Sequence, residues 1–278
     1  MFEKVNIYHP DKVADRIAGA IVDEVYRVAY DQESPYGTDY GFRPSCAVEV
    51  LIGHGACTII NETNIDIPSD TVGNIVRRIT GENHIKVSYT QVDQDKDLKR
   101  NQQHSSPRCG DNGIFRGVPI SVEEARLTAI AQILSRRFKS DGKYIINDDK
   151  MIICQSHSDV IDITDIVGED GVTINPLGYW DGGTNVDCGA TNRKLGSDMG
   201  RAVTGGGLHG KDLSKADVSV NIYCHLKAQQ LGHPVEMCCA IGDTEIDGIP
   251  YSEIVKVAES YIKKIGGFEK LAEWGLIR

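Results

Sequence analysis

Apolar residues in this chain switch repeatedly between a helical and a strand period, always in short runs. Val13, Ile17, Ile21, Val25 and Val28 recur at three- and four-residue spacing and predict an amphipathic helix over 10–30. Cys46–Ile52 and Ala56–Ile60 read as strands joined by Gly53-His54-Gly55, followed by a helix over Thr71–Thr80 and a third strand over Ile85–Val92. Ser121-Val122-Glu123-Glu124 has the form of a capping box and opens a helix to about Phe138. Tyr144–Asn147 and Met151–Cys154 flank an Asp148-Asp149 turn and predict a tight hairpin. A helix from Ala216 to Leu231 stops at Gly232. A strand (Val235–Ile241), a helix (Ser252–Ile265) and a short terminal helix follow. Strand-plus-helix groupings thus occur three times without a visible sequence repeat. They predict an α+β fold of three small units, 1–105, 106–181 and 182–278.

Composition narrows the function. A chain of 278 residues has room for two domains or three small ones. Its 40% hydrophobic and 25% charged residues exclude a disordered tail, a collagen-like chain and a coiled coil. No apolar run approaches the roughly 18 residues of a membrane helix. The start Met1-Phe2-Glu3-Lys4 lacks the regions of a signal peptide, so a cytoplasmic setting is expected. A net charge of −10 argues against nucleic acid or anionic membrane as a partner, and a polyanion would need a local basic cluster. Eight cysteines without a CxxC pair predict reduced, mostly buried thiols rather than zinc or a disulfide framework.

Five segments could carry chemistry. His9-Pro10-Asp11-Lys12 crowds three polar groups at a helix start, where free N–H groups attract anions; a plain helix cap is the alternative. Gly205–Asp212 fits the first seven positions of a P-loop. Its eighth position is Asp212 instead of Ser or Thr, and no buried strand precedes it. A glycine loop turning its amides to phosphate, or a flexible surface loop, fits better. Asp187, Arg193, Lys194, Lys211, Lys215 and Asp217 combine cations suited to a triphosphate with carboxylates suited to magnesium, or form a solvated charge cluster. Glu49 and Glu62 interrupt apolar strands, where an acid needs a cation, an ammonium ligand or solvent. Gly110-Asp111-Asn112-Gly113 reads as an Asx-type turn. The polar, aperiodic residues 93–113 form a long loop expected to be mobile without ligand and to close over substrate.

Together, His9–Lys12, Gly110–Gly113, Asp187–Lys194 and Gly205–Asp217 resemble S-adenosylmethionine synthetase, or methionine adenosyltransferase. Its members show G-H-P-D-K, G-D-Q-G, D-C-G-L-T-G-R-K and G-G-G-x-x-x-G-K-D-x-x-K-x-D in that order. The resemblance implies three similar units around a pseudo-threefold axis. It implies a homodimer, possibly a tetramer, with active sites at the subunit interface. It implies synthesis of S-adenosylmethionine from ATP and L-methionine, with the triphosphate cleaved to pyrophosphate and phosphate, and Mg2+ and K+ as ions. The thioether sulfur would attack C5′ directly. It carries no proton, so no general base is needed, and the work is alignment and stabilisation of the departing charge.

The resemblance also implies residue roles. His9 would lie near ribose and triphosphate and help the triphosphate leave. Asp11 and Asp217 would hold magnesium, and Glu49 potassium. Glu3 matches an active-site Glu and is a further metal candidate. Glu62 would face the methionine ammonium. Arg193, Lys194 and Lys211 would grip phosphates. Lys215 and Asp187 would meet methionine, and Asp187 also ATP. Trp180, beside Tyr179, would stack on adenine, and Asp111 would lie near the reacting centre. Ser140-Asp141-Gly142-Lys143 matches a P-D-A-K segment serving phosphate and metal, so Asp141 and Lys143 join the ATP-binding set; Asp148-Asp149-Lys150 is a competing alignment. The chain departs from the pattern at Ile7, Tyr8 and Asn192, which replace Glu, Gly and Gly. The triple-glycine loop is one residue short, with Leu208-His209 in place of three residues. Arg100 and Gln102 both fall near the family's methionine-contacting Gln. The resemblance is to a shortened member: the hairpin at 144–155 is expected to be clipped, 155–176 to lack what is normally a helix and strand, and the family's usual C-terminal extension to be missing after Arg278. A non-catalytic or regulatory homologue and a methionine-independent triphosphatase are the competing readings.

Overall fold

The computed structural model describes residues 1–31, 44–96, 108–148, 150–168 and 170–278. Arg100, Gln102, Asp149 and most of the expected mobile loop lie outside them.

The expected helix forms as α1 (Pro10–Asp31). Its apolar stripe packs on β2 (Cys46–Gly53), which pairs antiparallel with β3 (Ala56–Thr63). α2 (Ser69–Thr80) then returns the chain to β4 (Lys86–Val92), parallel to β3. A two-residue strand, β9 (Gly189–Ala190), completes this sheet in the order β4-β3-β2-β9. A Cβ at Gly189 would lie 2.1 Å from the Pro10 carbonyl oxygen, so only glycine lets β9 run against the start of α1.

A second sheet, β1-β6-β7-β8, joins β1 (Phe2–Val5) to β6 (Gly142–Asn147), β7 (Lys150–Gln155) and β8 (Val172–Ile174). α3 (Val122–Phe138) lies on it. Both halves of the Ser121–Glu124 capping box form. Asn147 pairs with Lys150, so the expected tight hairpin is present, with Asp148 at a φ of 53° at its tip. Past the short helix α5 (Leu195–Met199), the third sheet pairs β5 (Gly113–Gly117) with β10 (Val235–Cys239) beneath α6 (Ala216–Leu231). α6 ends at the expected Gly232, whose N–H returns to the Ala228 carbonyl. The small hairpin β11 (Glu245–Ile246) and β12 (Ile249–Pro250) leads to α7 (Tyr251–Ile265) and α8 (Phe268–Trp274).

One large core joins the first and third sheets through α1, α6 and α7, and a smaller one fills the space between the second sheet and α3. Each sheet unites strands remote in sequence, and the chain ends meet. The buried Lys4 ammonium donates to the carbonyls of Ser197 (2.8 Å), Trp274 (2.8 Å) and Ile277 (2.6 Å).

Two features correct or extend the sequence reading. Residues 155–176 do contain a helix and a strand, contrary to expectation: α4 (Val160–Val167) buries Ile163, and β8 extends the second sheet by three residues. The elements are too short to show a clear period. β1 and β5 were not foreseen, because Phe2-Glu3-Lys4-Val5 and Gly113-Ile114-Phe115-Arg116-Gly117 are short and flanked by polar or glycine residues. The cysteines are free thiols, buried at 46, 57, 109, 224 and 239 and exposed at 188 and 238. Among the described residues no helix is long and apolar enough to cross a membrane.

Candidate active site

The short strand β9 and the turn after it bring Asp187–Lys194 against the start of α1. Asp11, at the first turn of α1, accepts from the Ala190 N–H (2.9 Å) and from Lys194 Nζ (2.7 Å). Arg193 Nη1 stands 3.6 Å from the same carboxylate, with most of its side chain exposed. Burial alone would raise the Asp11 carboxyl, but the Lys194 and Ala190 hydrogen bonds outweigh it and hold the group below the usual range.

His9 Nδ1 accepts from the Asp11 N–H at 3.2 Å. This fixes the neutral ring with its proton on Nε2. Burial lowers its pKa to about 4, and Lys194 and Lys143 push the same way against Asp11 and Asp187. At neutral pH His9 is therefore a hydrogen-bond donor from Nε2 and not a cation.

Asp141 is buried where the second sheet meets this cluster. One oxygen accepts from the Gly183 N–H at 3.2 Å, and the other, Oδ1, is buried without a partner. Burial raises the group to about 6, helped by the charges of Asp187 and Asp11. A Cβ at Gly182 would lie 2.6 Å from the Trp180 ring and 2.8 Å from Asp141 Cβ, so the indole borders this carboxylate. Trp180 Nε1 donates to Asn175 Oδ1 (3.2 Å). Lys143 Nζ is 3.4 Å from Glu3 Oε2 across the β1–β6 pair. Asp187 is exposed and accepts from the Cys188 N–H. Asp148, of the competing alignment, sits at the hairpin tip instead.

The remaining candidates gather on the first sheet and the glycine loop. Glu49 is exposed on β2 and accepts from the Thr191 hydroxyl, with no cationic side chain on it among the described residues. Glu62 on β3 and Lys211 flank Ala47 on either side of β2. Lys211 Nζ meets Asp217 Oδ2 at 2.5 Å. Lys215 is the N-cap residue of α6. Asp111 is exposed, and its carboxylate caps the Asn112 N–H. It sits nearest the Lys215 end of this group: a Cβ on its neighbour Gly110 would stand 3.7 Å from the Ser214 carbonyl oxygen. The candidates thus fall into two groups, one around His9 and Asp11 and one around Lys211 and Glu62. Residues 190–194 link them.

Asp212, at the P-loop's eighth position, is fully buried and accepts from the N–H groups of Cys46 and Ser214, each at 2.8 Å. It ties the loop to β2 and is not placed to hold a metal. Behind the His9 cluster lies a network the sequence reading missed. Lys12 Nζ meets Asp198 Oδ1 at 2.6 Å and Asp15 Oδ2 at 3.1 Å, all buried. The ionised Asp198 can only accept, so His209 donates to it from Nε2 at 2.9 Å. Asp15, Asp198 and His209 converge as metal ligands would, but the Lys12 ammonium already fills the space between the carboxylates. Only the three-residue spacing of Lys12 and Asp15 on one helix face signalled this in the sequence.

No family model matches the chain. It is 26% identical, over 82% of its length and 73% of the relative's, to the curated S-adenosylmethionine synthase of Oenococcus oeni. The chain resembles the S-adenosylmethionine synthetases. Its fold is similar to the structure of an unusual S-adenosylmethionine synthetase from Campylobacter jejuni, with a TM-score of 0.71 and 16% identity, covering 99% of this chain and 94% of that one. That likeness supports a mixed α+β fold of several small sheets.

Asp141 gives the site a testable electrostatic signature. Asp141→Asn keeps an acceptor for the Gly183 N–H and removes a buried charge. At pH 8 the variant is expected to be more stable without ligand, by about 1–3 kcal/mol. Because the folded-state pKa is raised to about 6 from 3.8, the native protein gains protons as pH falls through that window. The advantage of the variant should therefore shrink as pH falls below about 6 and disappear only near pH 4. Thermal unfolding at the two pH values reads this directly; equal differences at both would show that Asp141 is not a strained carboxylate.

Proposed function

We propose that the chain synthesises S-adenosylmethionine from ATP and L-methionine. The observation that carries this reading is the convergence of Lys194 and Arg193 on Asp11, beside a neutral His9, at the start of α1. Such a site supplies positive charge and an uncharged donor to a departing triphosphate and offers no strong base at His9. That suits a displacement by a thioether, which has no proton to lose. His9 donates from Nε2 to the leaving oxygen. Arg193, Lys194 and Lys211 bind the phosphates, Trp180 stacks on adenine beside Asp141, and Lys143 reaches the same cluster. Glu62, Lys215 and Asp187 receive methionine, with Asp111 near the reacting centre.

The unpartnered Asp141 Oδ1 and the anionic Asp11 fit a divalent cation at the His9 group. Asp11 and Asp217 are the residues to hold magnesium, each releasing its lysine to phosphate, with Glu3 a further candidate. Glu49, which meets no cationic side chain among the described residues, fits potassium. Bound magnesium would neutralise phosphate charge.

The two groups of candidates support a homodimer in which each active site takes one group from each copy. Leu51, Ile60 and Val92 expose apolar surface on the outward face of the first sheet, as such a contact needs. The three sheets, each with helices packed against it, are read as three related units around a pseudo-threefold axis.

Purified chain incubated with ATP, methionine, Mg2+ and K+ should yield S-adenosylmethionine, pyrophosphate and phosphate by mass spectrometry. Phosphate release indifferent to methionine would replace this reading with a triphosphatase. ATP binding without any product would replace it with a regulatory homologue.

The neutral His9 has its own kinetic consequence. Its pKa of about 4 places no His9 titration between pH 6 and 8, so kcat should show no inflection near 6.5 from this residue. His9→Ala should lower kcat by about 10²- to 10³-fold with the same pH profile. A wild-type inflection near 6.5 that the variant loses would mean that His9 works as an acid.

A further inference from the structure

Two buried thiols meet where the third sheet ends. Cys239, the last residue of β10, pairs with Gly113, the first of β5. Beyond that pair the segments 109–112 and 240–243 run against each other. The Cys109 N–H donates to the Asp243 carbonyl at 2.9 Å, and the Gly242 N–H to the Cys109 carbonyl at 2.8 Å. The Ile241 N–H donates to Asn112 Oδ1 at 2.7 Å. These bonds enclose the sulfurs. Cys109 Sγ stands 3.2 Å from Cys239 Sγ, and the two residues are 0% and 5% exposed. The Asp111 carbonyl oxygen lies 3.0 Å from the first sulfur and 3.6 Å from the second. A disulfide bond is about 2.05 Å long, so the sulfurs need to approach by only about 1 Å. The hydrogen bond between them lowers the Cys109 thiol and raises that of Cys239. Cys109 is therefore the one to ionise, and the thiolate is the reactive form.

We propose that Cys109 and Cys239 are a redox-modification site, which a peroxide converts to a disulfide that pins the Asp111 turn to the end of β10 and slows turnover. The Cys109 thiolate attacks one peroxide oxygen and the O–O bond breaks, leaving a sulfenic acid on Cys109. The departing hydroxide takes up the proton that Cys109 gave up and becomes water. Cys239 Sγ then attacks the sulfenic sulfur, the S–O bond breaks, and the hydroxyl leaves with the Cys239 proton as a second water. The two thiols lose two electrons and hydrogen peroxide gains them. A dithiol reverses the bond by exchange. Oxidation also takes both thiol donors from the Asp111 carbonyl. The bond itself is independent of the functional reading; its effect on turnover rests on Asp111 lying near the reacting centre.

The test treats the purified chain with hydrogen peroxide, blocks the remaining thiols and maps the peptides without reduction. A link from Cys109 to the peptide holding Cys239 should appear and vanish with dithiothreitol. The exposed Cys238 lies on the same peptide, so Cys238→Ser should keep the link and Cys239→Ala should lose it. Hydrogen exchange of the 110–113 amides should slow by about tenfold in the oxidised chain, while that of the α1 amides stays as before. Turnover should fall by about fivefold or more and return with dithiothreitol. Cys239→Ala keeps Cys188 and Cys238, and the same treatment should lower its own rate by less than about twofold. Cys109→Ala serves if that variant does not fold. Thiols left free by peroxide, or carried singly to sulfinic acids without a link, would overturn the site. A link with unchanged exchange and rate, or an equal loss of rate in Cys239→Ala, would overturn its action on Asp111. A chain that forms the link and slows its exchange, but makes no S-adenosylmethionine in either state, would defeat the functional reading and leave the modification site standing.

Discussion

Lys12→Met is expected to destabilise the protein by about 3–5 kcal/mol, enough to unfold many domains of this size. Lys12 is the cation shared by Asp198 and Asp15, and all three side chains are at most 1% exposed. Burial alone would lower the lysine, but Asp198 and Asp15 outweigh it and hold the ammonium above its ordinary 10.5. Burial would likewise raise Asp198, but Lys12 and His209 hold it well below 3.8. Removing the lysine leaves two carboxylates facing each other in a dry interior, with only His209 against Asp198. Adding Asp198→Asn should return part of the loss, because one uncompensated charge goes with it. The linkage is one-sided at each end. The depressed Asp198 contributes stability that is present above about pH 4 and lost below it, and the raised Lys12 contributes stability lost only above about pH 10.5. Between those limits neither Asp198 nor Lys12 titrates, so neither adds a slope to the stability profile. Chemical denaturation of Lys12→Met within about 1 kcal/mol of the parent would show that the three groups do not act as a buried ion network.

How much of this was legible in the sequence depends on the scale of the feature. α1, α3, α6 and the β6–β7 hairpin could be read because period, caps and turn residues agree locally over many residues. β1, β5, α4 and β8 could not, since elements of three to eight residues carry too few side chains to show a period. Their existence is decided by remote partners: β1 is a strand because β6 lies beside it, and β5 because β10 and α6 do. The same split runs through the site. His9, Asp11, Arg193 and Lys194 share segments whose residue types already suggest phosphate, and the structure brings them together. Asp15, Asp198, His209 and Asn192 act through contacts across more than ten residues of chain, and in a linear reading each looks like an ordinary surface polar residue. Glu49 and Glu62 remained ambiguous for a different reason. Strand alternation puts them on the outward face, and what covers that face is not written in either strand.

Lys211→Met should lower the rate of S-adenosylmethionine formation by about 10³-fold, the largest catalytic effect expected from one substitution outside the His9 cluster. The interpretation needs a control, because Lys211 already has an internal partner in Asp217 at 2.5 Å. If Lys211 served only to neutralise Asp217, the loss would come from the abandoned carboxylate repelling phosphate. Removing that carboxylate as well would then restore the rate. If Lys211 instead grips the triphosphate, Lys211→Met combined with Asp217→Asn should stay as slow as Lys211→Met alone, or slower, since Asp217 is also a candidate magnesium residue. The pair is only partly buried, so neither change should cost much stability, and the folded fraction can be assayed directly. Lys211→Arg is informative in the other direction. It keeps the charge but moves it onto a planar fork, and the Ala47 bridge holds the backbone so that the larger head cannot be absorbed by the loop. It should recover ATP binding more fully than turnover. A double variant that regains the parent rate would remove Lys211 from the phosphate-binding set and leave it a structural counter-ion of α6.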